Sequence, residues 1–159
     1  MTPRKDLDHM PPTLSPMARA LAEAEAAGAR GEVPIGAAIT GPDGALIAAA
    51  GNRTRELSDP TAHAEMLAIR AACARLGSER LTACDLYVTL EPCPMCAAAI
   101  SFARIRRLYY GAPDPKGGGV EHGARVFSQP TCHHAPEIYT GIDEERTSAL
   151  LKSFFQAKR

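Results

Sequence analysis

The sequence predicts an α/β domain with a mixed sheet and helices on both faces. Three observations lead there. Helical patterns alternate with short apolar runs along the chain, the first two apolar runs flank a tight turn signal, and a later run, "DLYVTLE", reads as a continuous apolar strand. Alternating helices and strands are the mark of an α/β sheet. The turn makes the first pair a hairpin, and the continuous run suits a strand buried on both faces.

Each element has its own warrant. "SPMARALAEAEAAGARG" predicts a helix from Ser15 to Gly31: Ser15 can cap it, Pro16 fits the first helical position, and Gly28 or Gly31 can end it. "VPIGAAIT" and "ALIAAAG" around "GPDG" predict the hairpin, and "NRTRELSDP" is a polar loop. From Thr61 the pattern turns helical, with Ala64, Leu67, Ala68, Ala71, Ala72 and Leu76 at three- and four-residue spacing and Gly77 as the stop. Met66, Leu67 and Ile69 are expected in the core. After the central strand, "PMCAAAISFARI" is a second helix opened by proline, and "RRLYYGA" is another strand. Residues 113–136 are rich in glycine, proline and histidine without periodicity, and a loop of that length is functional or disordered. "DEERTSALLKSFFQAKR" closes the chain as an amphipathic helix, acidic first and basic last, as the helix dipole favours.

Composition narrows the function classes. A chain of 159 residues with 45% hydrophobic and 23% charged residues fits one globular domain, expected over residues 15–159 after a polar, flexible tail at 1–14. Eighteen basic and eighteen acidic residues cancel, so a nucleic-acid partner would have to be held by a local basic surface. No run approaches the roughly 18 apolar residues of a membrane span, and the opening "MTPRKDLDHMPP" lacks the apolar stretch of a secretory signal. Five cysteines (Cys73, Cys84, Cys93, Cys96, Cys132) in such a chain point to a cytoplasmic setting, where clustered thiols bind metal or do chemistry. Cys73 and Cys84 read as small buried residues.

The chemistry concentrates in "TAHAE" and "EPCPMC". Cys93 and Cys96 have the spacing to place two sulfurs on one ion, and His63 supplies imidazole, the other donor that Zn²⁺ prefers. Three protein ligands leave a tetrahedral position for water, the arrangement of a catalytic zinc. Both half-sites start helices, whose dipoles turn positive charge toward thiolates. Glu65 would stand beside the open position without binding the metal, where a carboxylate can pass a proton from water to substrate. Competing readings remain. The cysteines could be a redox pair, which would leave His63 and Glu65 unused. The zinc could be structural, with His122, Cys132, His133 or His134 as fourth ligand. Arg104, Arg106 and Arg107 beside Tyr109 and Tyr110 suit phosphate contact and base stacking, or are the two faces of an ordinary strand. Lys152, Lys158 and Arg159 make a basic helix end or a merely solvated one.

"H-A-E" followed by "P-C-x-x-C" is the signature of zinc-dependent nucleoside and base deaminases, the pattern for which these enzymes are the standard example. With "EVPIGA", "GNR", "DPTAHAE", "LYVTLEPCPMC", "ARIRRLYYGA" and "LLKSFF", the chain from about Ser15 onward resembles the bacterial tRNA-specific adenosine deaminases of the cytidine/deoxycytidylate deaminase superfamily, most specifically from Asp59 to Gly111. The resemblance implies a three-layer α/β/α sandwich with a five-stranded mixed sheet. It implies one Zn²⁺ per subunit on His63, Cys93 and Cys96, with Glu65 as proton shuttle. The reaction implied is hydrolytic conversion of the wobble adenosine (position 34) of a tRNA anticodon to inosine, by a homodimer. By the same resemblance Asn52 holds the flipped nucleoside, and Val33 and the backbone at Ala64 line the base pocket. Asp114 and Lys116 match a loop that touches the anticodon stem-loop, and His134 matches a histidine that contacts a nucleotide. The departure is "CHHAPE", where His133 stands in place of the asparagine of better-known relatives. A free base or nucleoside deaminase (guanine, cytosine or adenosine) shares the zinc chemistry. A non-catalytic zinc-stabilised RNA-binding module is the reading from another class, and Glu65 counts against it.

Overall fold

The computed structural model describes residues 14–157. The tail expected at 1–14 falls outside them except for Leu14, as do Lys158 and Arg159. The order is α1 (Pro16–Ala29), β1 (Gly36–Thr40), β2 (Leu46–Gly51), α2 (Ala64–Leu76), β3 (Asp85–Leu90), α3 (Pro94–Phe102), β4 (Arg107–Ala112), β5 (Glu137–Tyr139) and α4 (Glu144–Ala157), with one 3₁₀ turn at Val126–Ser128. The strands form a single sheet in the order β2-β1-β3-β4-β5. β1 is antiparallel to β2 and β3, whereas β4 runs parallel to β3 and β5. The sheet is therefore mixed and five-stranded, as the resemblance implied.

Strand alternation sorts the side chains into two layers. Ala37, Ile39, Leu86, Val88, Leu108 and Tyr110 point to one face and pack with Ala64, Ala68, Ile69 and Ala72 of α2 and Ala97 and Ile100 of α3. Ala38, Tyr87 and Tyr109 point to the other, against Met17, Ala20 and Leu21 of α1. α4 lies on that second face too, with buried Thr147 against Gly111 of β4. The strand alternation anticipated for "RIRRLYY" is thus observed. Tyr110 is core, Tyr109 stacks on Tyr87 and Tyr139 (ring centroids 4.5 and 4.8 Å), and Arg106 and Arg107 are paired with Asp85 and Glu137.

Two expectations need correction. The second helix begins at Ala64 instead of Thr61, because Asp59 Oδ1 accepts both the N–H and the hydroxyl of Thr61 (2.8 and 2.7 Å) and holds that residue in a turn. Its buried face is Ala64, Glu65, Ala68, Ile69 and Ala72. Met66 and Leu67 are only half-buried, and Ala71 and Leu76 are exposed. Alanines every fourth residue let the helix lie close to the sheet, which turns the larger side chains sideways. β5 has three exposed residues and no apolar alternation, so its only signature is its pairing with β4.

The register explains where function can sit. Gly36 pairs with Gly51, Ala37 with Val88, and Leu90 with Ala112. The start of β1 and the ends of β2, β3 and β4 therefore open at one end of the sheet. The chain leaves that end through Val33, Asn52, Glu91–Cys93 and Asp114.

Candidate metal centre and active site

Two helix starts face each other at this end. His63 is the N-cap of α2 and Cys93 the N-cap of α3; both are extended, and neither side chain caps its own helix. Their donor atoms turn toward each other instead. His63 Nδ1 lies 3.6 Å from Cys93 Sγ and 3.5 Å from Cys96 Sγ, and the three donors lie within 4.8 Å of one another. Around one tetrahedral zinc with Zn–S near 2.3 Å and Zn–N near 2.0 Å, neighbouring donors sit about 3.5–3.8 Å apart. The two His63–sulfur spacings match that geometry. A thiol of Cys96 bonded to Cys93 pulls the Cys93 pKa down to about 4 despite burial, with His63 helping. The lowering favours the thiolate at Cys93, the form in which a cysteine binds metal.

Among the described residues no fourth donor joins the group. His122 Nδ1 is bonded to Glu91, Cys132 to Ser101 and the carbonyl of His134, and His134 Nε2 to the carbonyl of Ile105 (2.6 Å). The structural-zinc reading thus lacks the ligand it requires, and all five cysteines are free.

Glu65 is only 4% exposed, in the first turn of α2 and on its buried face. Burial raises its pKa to about 6, with the Cys93 charge adding to the rise and the Glu65 backbone N–H opposing it. A carboxyl group poised there can both take and return a proton near neutrality. Asn52 is 6% exposed and its Oδ1 accepts the N–H of Ala64 at 2.8 Å. Asn52 therefore supplies the cap that His63 cannot. Its backbone is fixed independently, by N–H to the carbonyl of Ile35 and by Arg30 to its own carbonyl. Val33 lies half-buried just before β1 at the same end of the sheet.

Two further glutamates were not singled out by the sequence. Glu91, 2% exposed, receives the N–H groups of Asp114, Val120, Glu121 and His122 at 3.0–3.2 Å, and His122 Nδ1 at 2.7 Å. Burial pushes its pKa up, but these donors outweigh it and the net shift is downward. Glu32, equally buried, accepts the N–H groups of Arg55 and Glu56. Each carboxylate gathers one loop beside the metal donors. The only available signal was their adjacency to motif residues, since a glutamate beside proline or valine carries no spacing rule.

The loop at 113–136 is ordered around Glu91. Asp114 caps its own turn through Gly117 and Gly118, and Gly119 donates to the carbonyl of Pro92. The glycine run has a steric cause: a Cβ on Gly118 would collide with the Glu91 carboxylate, and one on Gly119 would lie 2.6 Å from Pro94 N. Asp114 and the exposed Lys116 are carried on the first part of this loop, whereas His133 and His134 lie in its last part, near the end of α3.

Donors placed this way, on a three-layer sheet and with a free carboxylate beside them, define a zinc-dependent hydrolytic centre. The family model for the cytidine and deoxycytidylate deaminase zinc-binding region matches residues 13–112. A tRNA-specific adenosine deaminase of Agrobacterium fabrum is 66% identical over 143 residues, 90% of this chain and 93% of its own length. A solved structure from studies of A-to-I editing by tRNA:A34 deaminases at the wobble position is 66% identical, with a TM-score of 0.84 over 86% of this chain and 98% of the other. A guanine deaminase from Nitrosomonas europaea is 26% identical, with a TM-score of 0.76 over 94% of this chain and 90% of its own. The chain belongs to the tRNA-specific adenosine deaminase family, within the cytidine and deoxycytidylate deaminases.

Proposed function

We propose that the protein converts the wobble adenosine (position 34) of a tRNA anticodon to inosine by zinc-dependent hydrolytic deamination. The observation that carries the substrate is the 66% identity, across nine-tenths of the chain, to a relative described as a tRNA-specific adenosine deaminase. His63, Cys93 and Cys96 would hold the metal, and zinc bound there would supply a water acidified to a pKa of about 7. Glu65 would take one proton from the water and deliver it to N1 of the adenine ring, then carry the second proton, from the hydroxyl gained at C6, to the amino group that departs as ammonia. The Asn52 amide group, with Val33 and the backbone at Ala64, holds the extruded base, in keeping with the preference of proteins for unpaired loop nucleotides. Asp114, Lys116 and His134 contact the anticodon stem-loop.

The protein acts as a cytoplasmic homodimer in this reading. Phe102, 76% exposed on α3, supports a partner on that face, and among the described residues no helix is long and apolar enough to cross a membrane. A second reading, free-base deamination, draws on the fold shared with the guanine deaminase. The deciding experiment incubates zinc-loaded protein with an anticodon stem-loop bearing a wobble adenosine and, separately, with guanine, cytosine and adenosine. Inosine in the stem-loop alone supports the tRNA reading. Ammonia from a free base with the stem-loop untouched overturns it in favour of the second.

A further inference from the structure

We propose that Glu91 and His122 form a latch that fixes the 114–122 loop to the turn carrying Cys93, making His122 a positioning residue for RNA recognition. The latch is closed from both ends of the loop. Glu91 Oε1 takes the N–H of Asp114 at the loop's start and His122 Nδ1 at its end, while Oε2 takes the N–H groups of Val120, Glu121 and His122. Glu91 immediately precedes Pro92 and Cys93, and Gly119 bonds to the carbonyl of Pro92. The loop is therefore registered against a metal ligand rather than against the sheet in general.

One carboxylate with five donors is a single point of failure for the loop's geometry. Four of these donors are backbone groups that any sequence could provide. The fifth, the His122 ring, is the only contribution to the latch made by a side chain of the loop, and a bond to a carboxylate is among the stronger hydrogen bonds. The ring adds a side-chain tie to the backbone bonds that hold Asp114 and His122 on Glu91, so its loss loosens the segment that presents Lys116. His122 reaches no metal donor and belongs to no donor cluster among the described residues, so its effect would fall on binding rather than on the zinc.

That the bound RNA is an anticodon stem-loop rests on the proposed function, and the experiment separates the two. Zinc-loaded Glu65→Ala protein, which holds substrate without turning it over, is titrated with a labelled stem-loop with and without His122→Ala. Amide hydrogen exchange at Val120 and Glu121 is followed in the same proteins. His122→Ala is expected to speed exchange at these amides by about tenfold and to weaken stem-loop binding roughly three- to tenfold, the size of one ordinary net hydrogen bond. His122→Asn, whose amide N–H can stand where Nδ1–H stood, is expected to restore both. Unchanged exchange overturns the latch, whatever the ligand. Faster exchange with unchanged affinity, or no restoration by asparagine, overturns the positioning role. If the His122-intact protein fails to bind the stem-loop at all, the tRNA reading and His122's RNA role fall together, and faster exchange alone leaves Glu91–His122 as a clamp without a recognition function.

Discussion

Asn52→Ala separates a helix cap from everything around it. The Asn52 side chain accepts the first N–H of α2, that of Ala64, inside a fully buried environment. The residue in the capping position, His63, has its ring turned to the sulfurs, so nothing else stands ready to take that N–H. The backbone of Asn52 stays pinned by Ile35 and Arg30 after the substitution, which confines the perturbation to one bond. A buried donor left without a partner costs about 1–3 kcal/mol, consistent with the ~1 kcal/mol typical of a lost cap plus its burial. About 2 kcal/mol lowers the melting temperature of a domain this size by roughly 4–8 °C. Because α2 starts at the metal-bearing residue, loosening its first turn also weakens zinc retention. The assay is a thermal melt of zinc-loaded protein, followed by zinc release to a chromogenic chelator. A variant that melts with the wild type and releases zinc no faster refutes the capping role.

Other perturbations give distinct outcomes. Glu65→Ala spares zinc content and folding and abolishes turnover; surviving activity on the stem-loop would show that the proton moves through another group. Gly119→Ala places a methyl 2.6 Å from Pro94 N and 2.7 Å from its Cα, both backbone, so α3 or the loop must shift at a cost of about 1–3 kcal/mol; a melt within error of the wild type would mean the loop is free to move aside. Acidification weakens zinc binding, because the metal needs neutral imidazole and thiolate sulfur and must compete with protons for all three donors. Zinc release therefore rises as pH falls. The raised pKa of His63, caused first by its bond to Cys93 and opposed by burial, moves the onset toward neutrality; release that is independent of pH would remove these residues as ligands.

Much of this was legible in the chain because the relevant signals are local. Ser15 and Pro16 start α1, and Gly77 in a left-handed conformation stops α2. His63, Glu65, Cys93 and Cys96 carry metal chemistry in their spacing. The face of α2 was read less well: counting apolar residues favours Leu67 and Leu76, whereas close packing on the sheet selects Ala64, Ala68 and Ala72. β5 was invisible because three exposed residues acquire strand character only from a neighbour already in place. Glu32 and Glu91 escaped for a related reason. A buried carboxylate that collects backbone N–H groups is defined by where loops return in space, and the residues that donate to it need no particular side chain. Asn52 was placed at the site by resemblance, but its capping of α2 appears only once the two segments are side by side.

The row of stacked rings at the far side of the sheet has a practical side. The chain has no tryptophan and four tyrosines, and three of these, Tyr87, Tyr109 and Tyr139, stand in one stack that crosses β3, β4 and β5. Intrinsic fluorescence is thus a built-in gauge dominated by one place. Peeling β5 from the edge would break the stack and change the emission while the metal donors stay undisturbed. An ultraviolet signal recorded during unfolding would time the fraying of this margin, and only a separate probe, such as zinc release, would time the collapse of the opposite end.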